Sequence, residues 1–234
     1  MWTKLALLFV TAASVHVSLS PPQPAAPPKT LAGPRTFFEY IVRYITLCTK
    51  SLTWLFVTID ALATLALYAQ PEVAPPMCPR SPASPTTLTY VSPLLIAGTL
   101  SAFAGGALRA WCYRTLGRLF TFEISIMEKH ALVTSGPYAI VRHPSYSGIY
   151  LTLGGATAAL AAPSSWAQAC GVLRAPTTLT DIFAWTFAAA WCVKCGYAMY
   201  STLRRGPIED EQLHKQFGSE YAKATPYRMI PFVL

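Results

Sequence analysis

The sequence carries little charge for its length. Of its 234 residues, 12% are charged and 53% are hydrophobic, whereas soluble domains carry about 25% charged residues. Together with a mean hydropathy of +0.38, this composition indicates an integral membrane protein. The length suits one compact membrane domain rather than several soluble domains.

Several functional signatures are absent from the sequence. It has no glycine-rich dinucleotide fingerprint, which argues against a Rossmann-type sheet. It has no Ser-His-Asp or Cys-His pattern that would indicate hydrolysis, and no inverted repeat that would indicate a transporter. Nor does it have a basic run interleaved with aromatic residues. The net charge of +8 therefore indicates positive cytosolic flanks rather than a surface for nucleic acid.

The cysteines do not form a metal-binding pattern. Cys192 and Cys195 are spaced as a CxxC pair, but they lie in an apolar run and no second ligand pair accompanies them. Zinc sites commonly need that second pair. We expect both thiols to pack within a helix, and we expect no metal site. The scattered positions of the six cysteines do not imply a disulfide.

Five apolar segments predict an all-α, multi-span helical bundle. Arg109, Arg114 and Arg118 follow the third segment directly, so the stretch 109–145 is predicted to be cytosolic. The amino terminus is then lumenal and the carboxyl terminus cytosolic. Residues 2–20 could be a cleaved signal peptide or a retained first span, and we favour the retained span. The predicted spans are 2–20, 51–69, 89–108, 146–162 and 179–203.

The chain divides by composition into three parts. An N-terminal apolar segment with a proline-rich linker covers 1–34, membrane spans cover 35–117, and a catalytic core is predicted over 118–234. Residues 35–50 mix cations with aromatic residues and predict an interfacial approach to the second span. The proline-rich stretch 70–88 predicts a loop.

Two features within the predicted spans indicate tight packing. Asp60 lies near the centre of a span, where a charge costs ~2.5–3.5 kcal/mol and usually faces a partner. A structural hydrogen bond is favoured for Asp60 over a functional role. The small residues Gly98, Ala102, Gly105 and Gly106 recur at near-helical spacing, which favours a close helix–helix contact.

A polar, bent stretch lies between the third and fourth spans. Gly136-Pro137 breaks any helix that arrives from the N-terminal side, and Pro144 disfavours the α conformation for the residue before it. Backbone of this kind beside membrane spans is tolerated only against protein, water or a ligand. The polar side chains of this stretch are His130, Tyr138, Arg142, His143 and Tyr146.

A second polar block follows the last span. Since residues 146–203 form a hydrophobic hairpin, both of its ends return to the same membrane face. We therefore expect the blocks 123–146 and 204–211 to meet in one cytosolic pocket. Glu209, Asp210 and Glu211 are interpreted as the acidic first turn of a short C-terminal helix. An apolar stripe is expected to dock that helix on the membrane core through Leu213, Phe217 and Tyr221.

The two blocks carry a family resemblance. LVTSGPY followed by VRHPSYSG resembles the signature of the isoprenylcysteine carboxyl methyltransferases, and a looser form is shared with phospholipid N-methyltransferases. The second block resembles the same family in Arg205, Glu209-Asp210, Leu213, Phe217-Gly218, Glu220-Tyr221 and Ile230-Pro231-Phe232. Together the blocks cover residues 118–234, about half of the chain.

The resemblance implies a transferase with S-adenosyl-L-methionine as cofactor. It also implies a multi-pass protein of the endoplasmic reticulum membrane with its site facing the cytosol, which processes prenylated CaaX-type proteins. Acidic groups near the cofactor would tolerate its sulfonium cation. The implied cofactor-binding residues are Glu123, His130, Ala131, Leu132, Val133, Tyr138, His143, Pro144, Ser145, Tyr146 and Glu209. Glu123 departs from related enzymes, which often carry an amide there.

Two arginines are predicted to act in the reaction. A carboxylate nucleophile is ionised near pH 7 and needs no general base, so in-line placement is the main requirement. Arg205 is the candidate for gripping the substrate carboxylate, since a guanidinium binds a carboxylate through two parallel bonds. Its alternative is a membrane-flank anchor. Arg142 is expected to pair with Glu209 and to hold the two blocks together.

Two rival functions share these motifs. A phospholipid N-methyltransferase would use the same cofactor pocket but accept an amine, which a cation at Arg205 would repel. A non-catalytic membrane scaffold could retain the fold, although the full RHPSY motif with Arg205 and Glu209 argues against it.

Overall fold

The computed structural model describes residues 1–31, 36–69, 78, 85–126, 131–173, 179–218, 220–221 and 225–230. Within these residues the fold is helical, with one isolated bridge between Leu31 and Ser125 and no strand. The predicted all-α bundle is therefore confirmed. Its helices are α1 (Trp2–Ser18), α2 (Phe37–Ala69), α3 (Pro85–Thr89), α4 (Pro93–Leu116), α5 (Pro144–Leu160), α6 (Trp166–Ala169) and α7 (Leu179–Phe217).

In the described part of the chain, three helical stretches are long and apolar enough to cross a membrane, namely Phe37–Ala69, Thr86–Leu119 and Asp181–Phe217. Each of the five predicted spans corresponds to a helix, but α1 and α5 have only 17 residues each. A perpendicular crossing needs about 20 apolar residues. The membrane character predicted from the sequence is confirmed, and the count of five spans is approximate.

Two predicted helix boundaries are wrong. The interfacial stretch 35–50 and the second span form one 33-residue helix from Phe37. The predicted separate helix at Glu209 does not exist, because α7 continues through Pro207 as far as Phe217. Glu209 is thus mid-helix rather than in an acidic first turn. Glu209 forms an ion pair with Arg205 at 3.2 Å, one helical turn away on the other side of Pro207. This ion pair offsets part of the stability that is lost because a proline cannot donate a backbone hydrogen bond.

Glycines bring α4 and α5 into close contact. A Cβ atom on Gly105 would lie 2.5 Å from the Thr152 nitrogen, and one on Gly98 would lie 2.6 Å from the Ala159 nitrogen. No side chain fits at those distances. The close helix packing predicted from the small residues is confirmed, and it fixes the position of α5, whose first turn carries site residues.

Asp60 has a structural partner inside the bundle. Its carboxylate lies 2.6 Å from the ammonium of Lys4, which is completely buried on α1. The same carboxylate accepts a bond from the Trp166 backbone nitrogen at 3.1 Å, and Lys4 donates to the Ser164 carbonyl at 2.7 Å. Asp60 therefore makes the structural contacts that the sequence analysis favoured over a functional role. Helix α1 packs against α2, α4 and α5.

A disulfide joins Cys78 to Cys170. The sequence pattern did not imply this bridge, because the two cysteines are 92 positions apart and meet only through the pairing of distant helices. This bridge lies at the end of the bundle where α2 and α5 finish. In the CxxC pair of α7, Cys195 is buried and Cys192 is exposed. Most of the predicted loop 70–88 lies outside the described residues.

Candidate active site

A cavity of about 210 Å³ opens at the end of the bundle where α2 and α5 begin and α7 finishes. Nearly all of the predicted site residues line it, and α2, which precedes the predicted catalytic core, supplies part of its wall. Pro144 is buried in the first turn of α5, and His130 lies outside the described residues. The predicted residues in the cavity wall are Glu123, Ala131, Leu132, Val133, Tyr138, Arg142, His143, Ser145, Tyr146, Arg205 and Glu209.

Glycine and proline shape the backbone at this site. Gly136 has a φ of +57°, which is accessible to glycine without strain, and it begins the 3₁₀ turn Gly136–Ala139 that carries Tyr138. His143 caps α5 with a φ of −122°, because Pro144 in the first turn excludes the α conformation before it. The bend predicted from these residues therefore presents His143 and the first turn of α5 to the cavity.

His143, Tyr146 and Glu209 form the contact between the two polar blocks. The Nδ1 atom of His143 lies 3.3 Å from Oε2 of Glu209, and the hydroxyl of Tyr146 donates to Oε1. The rings of His143 and Tyr146 stack with their centroids 5.3 Å apart. The structure thus brings together residues that lie more than sixty positions apart in the sequence.

Asp210 is a site residue that the sequence interpretation missed. Its carboxylate receives bonds from Nε2 of His143 at 2.9 Å, from the Tyr221 hydroxyl at 2.7 Å and from Nε of Arg228 at 2.9 Å. From the sequence, Asp210 is interpreted only as one of the acidic residues in the first turn of a helix. Its adjacency to Glu209 in the C-terminal block was the signal that could have found it.

Arg142 holds a C-terminal strap, residues 225–230, against the site. Its Nε donates to the Thr225 carbonyl at 2.7 Å and its Nη2 to the Pro226 carbonyl at 3.0 Å. Its carboxylate partner is Asp210 at 3.3 Å, so the expected pairing with Glu209 is wrong. Both carboxylates are on α7, where adjacent side chains point about 100° apart, and Asp210 rather than Glu209 faces this arginine.

The His143 imidazole is held between two carboxylates. Burial alone would lower the pKa of His143, but hydrogen bonds with Asp210 and Glu209 outweigh burial and raise the pKa to about 9. The ring is therefore an imidazolium at neutral pH. A cation fixed at this point keeps Asp210 and Glu209 charged and oriented.

Arg205 is buried in the cavity wall, with 4% of its surface exposed. Its Nη1 donates to the Phe122 carbonyl at 2.8 Å, and its Nη2 lies 3.2 Å from Glu209 and 3.8 Å from Glu39. Its Nε has no hydrogen-bond partner among the described residues. Since an unsatisfied buried donor costs about 1–3 kcal/mol, this atom indicates where a ligand oxygen would be stabilised.

Arg109 is a second missed residue. It was interpreted as a cytosolic flank, but it is 2% exposed. Its Nη1 donates to Oγ of Ser145 at 2.7 Å, and its Nε donates to the Ser18 carbonyl at 2.5 Å. Its guanidinium also lies 5.8 Å from the Phe120 ring centre. Arg109 therefore ties α1 to the first turn of α5 and fixes the position of Ser145.

Glu123 has a basic partner at the cavity wall. Burial disfavours the charged form, but the hydrogen bond from Nε of Arg43 at 2.7 Å outweighs burial and holds the pKa of Glu123 below its usual value. The cofactor contact expected of Glu123 therefore involves a carboxylate that is already paired with Arg43.

Apolar side chains of α2, α5 and α7 form another part of the cavity wall. They include Val42, Ile45, Leu153 and Ala198. A cavity that combines two carboxylates and a buried guanidinium with apolar walls suits an acceptor that has a carboxylate and a long hydrocarbon tail.

Residues 97–176 match the model of the isoprenylcysteine carboxyl methyltransferase (ICMT) family. Over this region the chain is similar to that family. The resemblance predicted from the motifs is confirmed. The match includes the bend that carries Tyr138, His143 and Tyr146, whereas Arg205 and Glu209 lie beyond it.

Curated relatives carry related names. The chain is 35% identical over 141 residues to protein-S-isoprenylcysteine O-methyltransferase B of Arabidopsis thaliana, which covers 58% of each chain. It is 29% identical over 126 residues to a probable protein-S-isoprenylcysteine O-methyltransferase of Oryza sativa subsp. indica, which covers 53% of each chain. The chain thus spans little more than half the length of these relatives. No solved structure matches it.

Proposed function

We propose that this protein is an S-adenosyl-L-methionine-dependent methyltransferase that esterifies the C-terminal carboxylate of prenylcysteine in CaaX-type proteins. The family match over 97–176 supports the reaction class. The observation that carries the choice of acceptor is Arg205. It is buried beside apolar residues of the cavity wall, and its Nε has no hydrogen-bond partner in the part of the chain that the structure describes. A carboxylate with a hydrocarbon tail satisfies both features.

The residues around the polar end fit the proposed cofactor. When bound, S-adenosyl-L-methionine supplies an electrophilic methyl group on a sulfonium cation. Glu209 would hold its amine or ribose hydroxyls, and a carboxylate near the sulfonium is electrostatically favourable. Tyr138 and the segment 131–133 line the same wall and would contact the remainder of the molecule. Ser145, positioned by Arg109, offers a further hydroxyl.

The proposed acceptor carboxylate binds Arg205. The Nε atom and one Nη atom of a guanidinium present two parallel N–H donors, and the two oxygens of one carboxylate can accept both bonds. The carboxylate is already ionised at neutral pH, so the site needs no general base and acts chiefly by positioning. Glu209 and Glu39 share the charge of Arg205, which limits how tightly the anionic substrate is held relative to the neutral ester product.

Methylation of a farnesylcysteine analogue from labelled S-adenosyl-L-methionine tests the proposal directly. We expect membranes that contain the protein to label the analogue. Label found only in phosphatidylethanolamine would support the phospholipid N-methyltransferase alternative instead. The buried guanidinium of Arg205 disfavours that alternative, because it would repel an ammonium acceptor.

The Arg205→Ala variant should lose at least a hundredfold in kcat/KM while retaining cofactor binding. Removing a charged, buried hydrogen-bond donor costs on the order of 3 kcal/mol, which is about a hundredfold. Turnover and equilibrium binding of labelled cofactor are measured on the same preparation. Arg204→Ala is the matched control, since Arg204 is adjacent and exposed. Loss of both turnover and cofactor binding in Arg205→Ala would contradict the assigned role.

We also propose that the protein resides in the endoplasmic reticulum membrane with the cavity facing the cytosol. The cavity and the Cys78–Cys170 disulfide lie at opposite ends of the bundle. Since disulfides persist in the oxidising lumen and are rare in the cytosol, their separation supports this orientation.

A further inference from the structure

Glu39 is a buried carboxylate on α2 that lies beside the proposed acceptor site. It is in the first turn of that helix, and 4% of its side chain is exposed. This position precedes both the predicted catalytic core over 118–234 and the family match over 97–176. A carboxylate is costly to bury unless it is paired and hydrogen-bonded, so its contacts indicate its function.

One oxygen of Glu39 contacts both Arg205 and the backbone segment that binds Arg205. Its Oε1 lies 3.8 Å from Nη2 of Arg205 and accepts a hydrogen bond from the Ile124 nitrogen at 3.3 Å. Two residues before Ile124, the carbonyl of Phe122 accepts a bond from Nη1 of Arg205 at 2.8 Å. Glu39 therefore connects α2 with the guanidinium and with the segment that holds its other nitrogen.

Two carboxylates share the single positive charge of Arg205. Glu209 lies 3.2 Å from Nη2, and Glu39 lies 3.8 Å from the same nitrogen. Because Arg205 is only 4% exposed, water and salt screen these charges weakly. The positive potential at the guanidinium is therefore lower than it would be with one carboxylate partner.

The proposed reaction removes the charge that Arg205 binds. A carboxylate oxygen of the acceptor forms a bond to the methyl carbon, while the carbon–sulfur bond breaks and its electron pair stays on sulfur. No proton is transferred. The negative charge on the carboxylate decreases toward the transition state, so a guanidinium stabilises the bound substrate more than the transition state. An interaction of that kind tightens binding at the expense of kcat.

We propose that Glu39 is a positioning residue that weakens the hold of Arg205 on the acceptor carboxylate and so keeps that carboxylate reactive. The inference rests on the proposed function and assigns a role in it to a helix outside the family match. Glu39 acts through Arg205, by orienting the guanidinium and by lowering its positive potential.

The Glu39→Gln variant separates the charge of this residue from its size. Glutamine has the same length and keeps an oxygen for the Ile124 nitrogen. The variant should bind N-acetyl-S-farnesylcysteine about tenfold more tightly, since the charge that opposes Arg205 is removed. Its affinity for the neutral methyl ester should not change. KM should fall, and kcat should fall about threefold because part of the extra stabilisation is lost in the transition state.

The two affinities are measured by calorimetry on purified protein in lipid nanodiscs without cofactor, and kcat and KM are measured on the same preparations. Glu39→Asp keeps the charge but moves it away from Nη2 of Arg205, so its carboxylate-to-ester affinity ratio should be intermediate. Glu211→Gln is the matched control. It also removes one carboxylate from the protein, but from an exposed ion pair with Lys215 on α7, and it should match the wild type in every measurement.

A carboxylate-to-ester affinity ratio in Glu39→Gln that is equal to or below that of the wild type overturns the inference, as does an increase in kcat. If Glu39→Gln does not fold, Glu39→Asp decides, and a wild-type ratio in that variant is the contrary result. If no preparation methylates the acceptor but the ratio rises in Glu39→Gln, the effect of Glu39 on the anion site is supported and the proposed reaction is wrong. If methylation occurs and the ratio is unchanged, the proposed reaction stands and the role of Glu39 is wrong.

Discussion

Asp210 and His143 show how one buried residue depends on another at this site. The His143 ring bonds to Asp210 at 2.9 Å, and the same carboxylate binds Tyr221 and Arg228. The C-terminal strap is bonded to the same turn, since the His143 backbone nitrogen donates to the Arg228 carbonyl at 2.7 Å. The ionisation of His143 therefore influences the stability of both polar blocks and the strap.

Stability should fall at alkaline pH because of His143. Its pKa is about 9 in the folded protein against 6.5 for an unperturbed histidine. A group with a raised folded pKa contributes stability that is fully present below pH 6.5 and is lost as the pH rises through 9. The full contribution is about 3 kcal/mol by linkage. We expect the Tm in detergent to decrease between pH 7 and pH 9.5.

The His143→Gln variant should have a lower Tm at pH 7 and a flatter dependence of Tm on pH over that window. His214→Gln is the control, because His214 is exposed on α7. A wild-type Tm that is constant from pH 7 to 9.5, or an equal slope in His143→Gln, would refute the assignment.

Motifs in the sequence could predict His143, Tyr146, Arg205 and Glu209, since chemistry-bearing residues of those types were grouped around proline and glycine. They could not predict Arg109. An arginine beside an apolar helix has the same sequence signal whether it flanks the membrane or is buried against Ser145. Burial is a property of tertiary packing, and this is why the distinction was missed.

At the scale of helices, the contact between α4 and α5 depends on glycine. Gly105→Ala should lower the free energy of unfolding by about 1–3 kcal/mol, because its methyl group has no room against the α5 backbone. The displaced α5 should also reduce methylation activity, since its first turn carries Tyr146. The Tm in detergent and the specific activity are the measurements.

Gly154→Ala is the matched control for this change. Gly154 lies on α5, and an added Cβ would have nothing within 4 Å. We expect no loss of stability or activity from it, and a small gain is compatible with the higher helix propensity of alanine. Equal Tm values for Gly105→Ala and wild type would mean that the helices can separate without cost.

Local rules predicted the helical elements but misplaced their ends. Pro207 and the acidic run 209–211 are typical of a helix start, and the cations of 35–50 are typical of an interface. In the folded chain, Arg205 bonds to Glu209 across the proline, and Phe38 packs at the cavity. These tertiary contacts override local propensity. The partnership of Cys78 with Cys170 was equally invisible to a sequence reading, because it depends on the arrangement of four helices.

For the molecule as a whole, the disulfide provides a test of orientation. If the cavity faces the cytosol, Cys78 and Cys170 are lumenal. In intact microsomes treated with a membrane-impermeant reductant and then a bulky maleimide, neither cysteine should be labelled. Both should be labelled after the membrane is permeabilised. A Cys78→Ser, Cys170→Ser double variant identifies the gel shift that belongs to this pair. Labelling of the pair in intact microsomes would place the cavity in the lumen.

The cavity draws its residues from distant parts of the chain, and this sets the order in which it forms during synthesis. The wall from 123–146 leaves the ribosome before Arg205 and Glu209, which lie on α7. A nascent chain therefore has no complete cavity until α7 has been translated, and a premature stop codon before Arg205 would give a product without one.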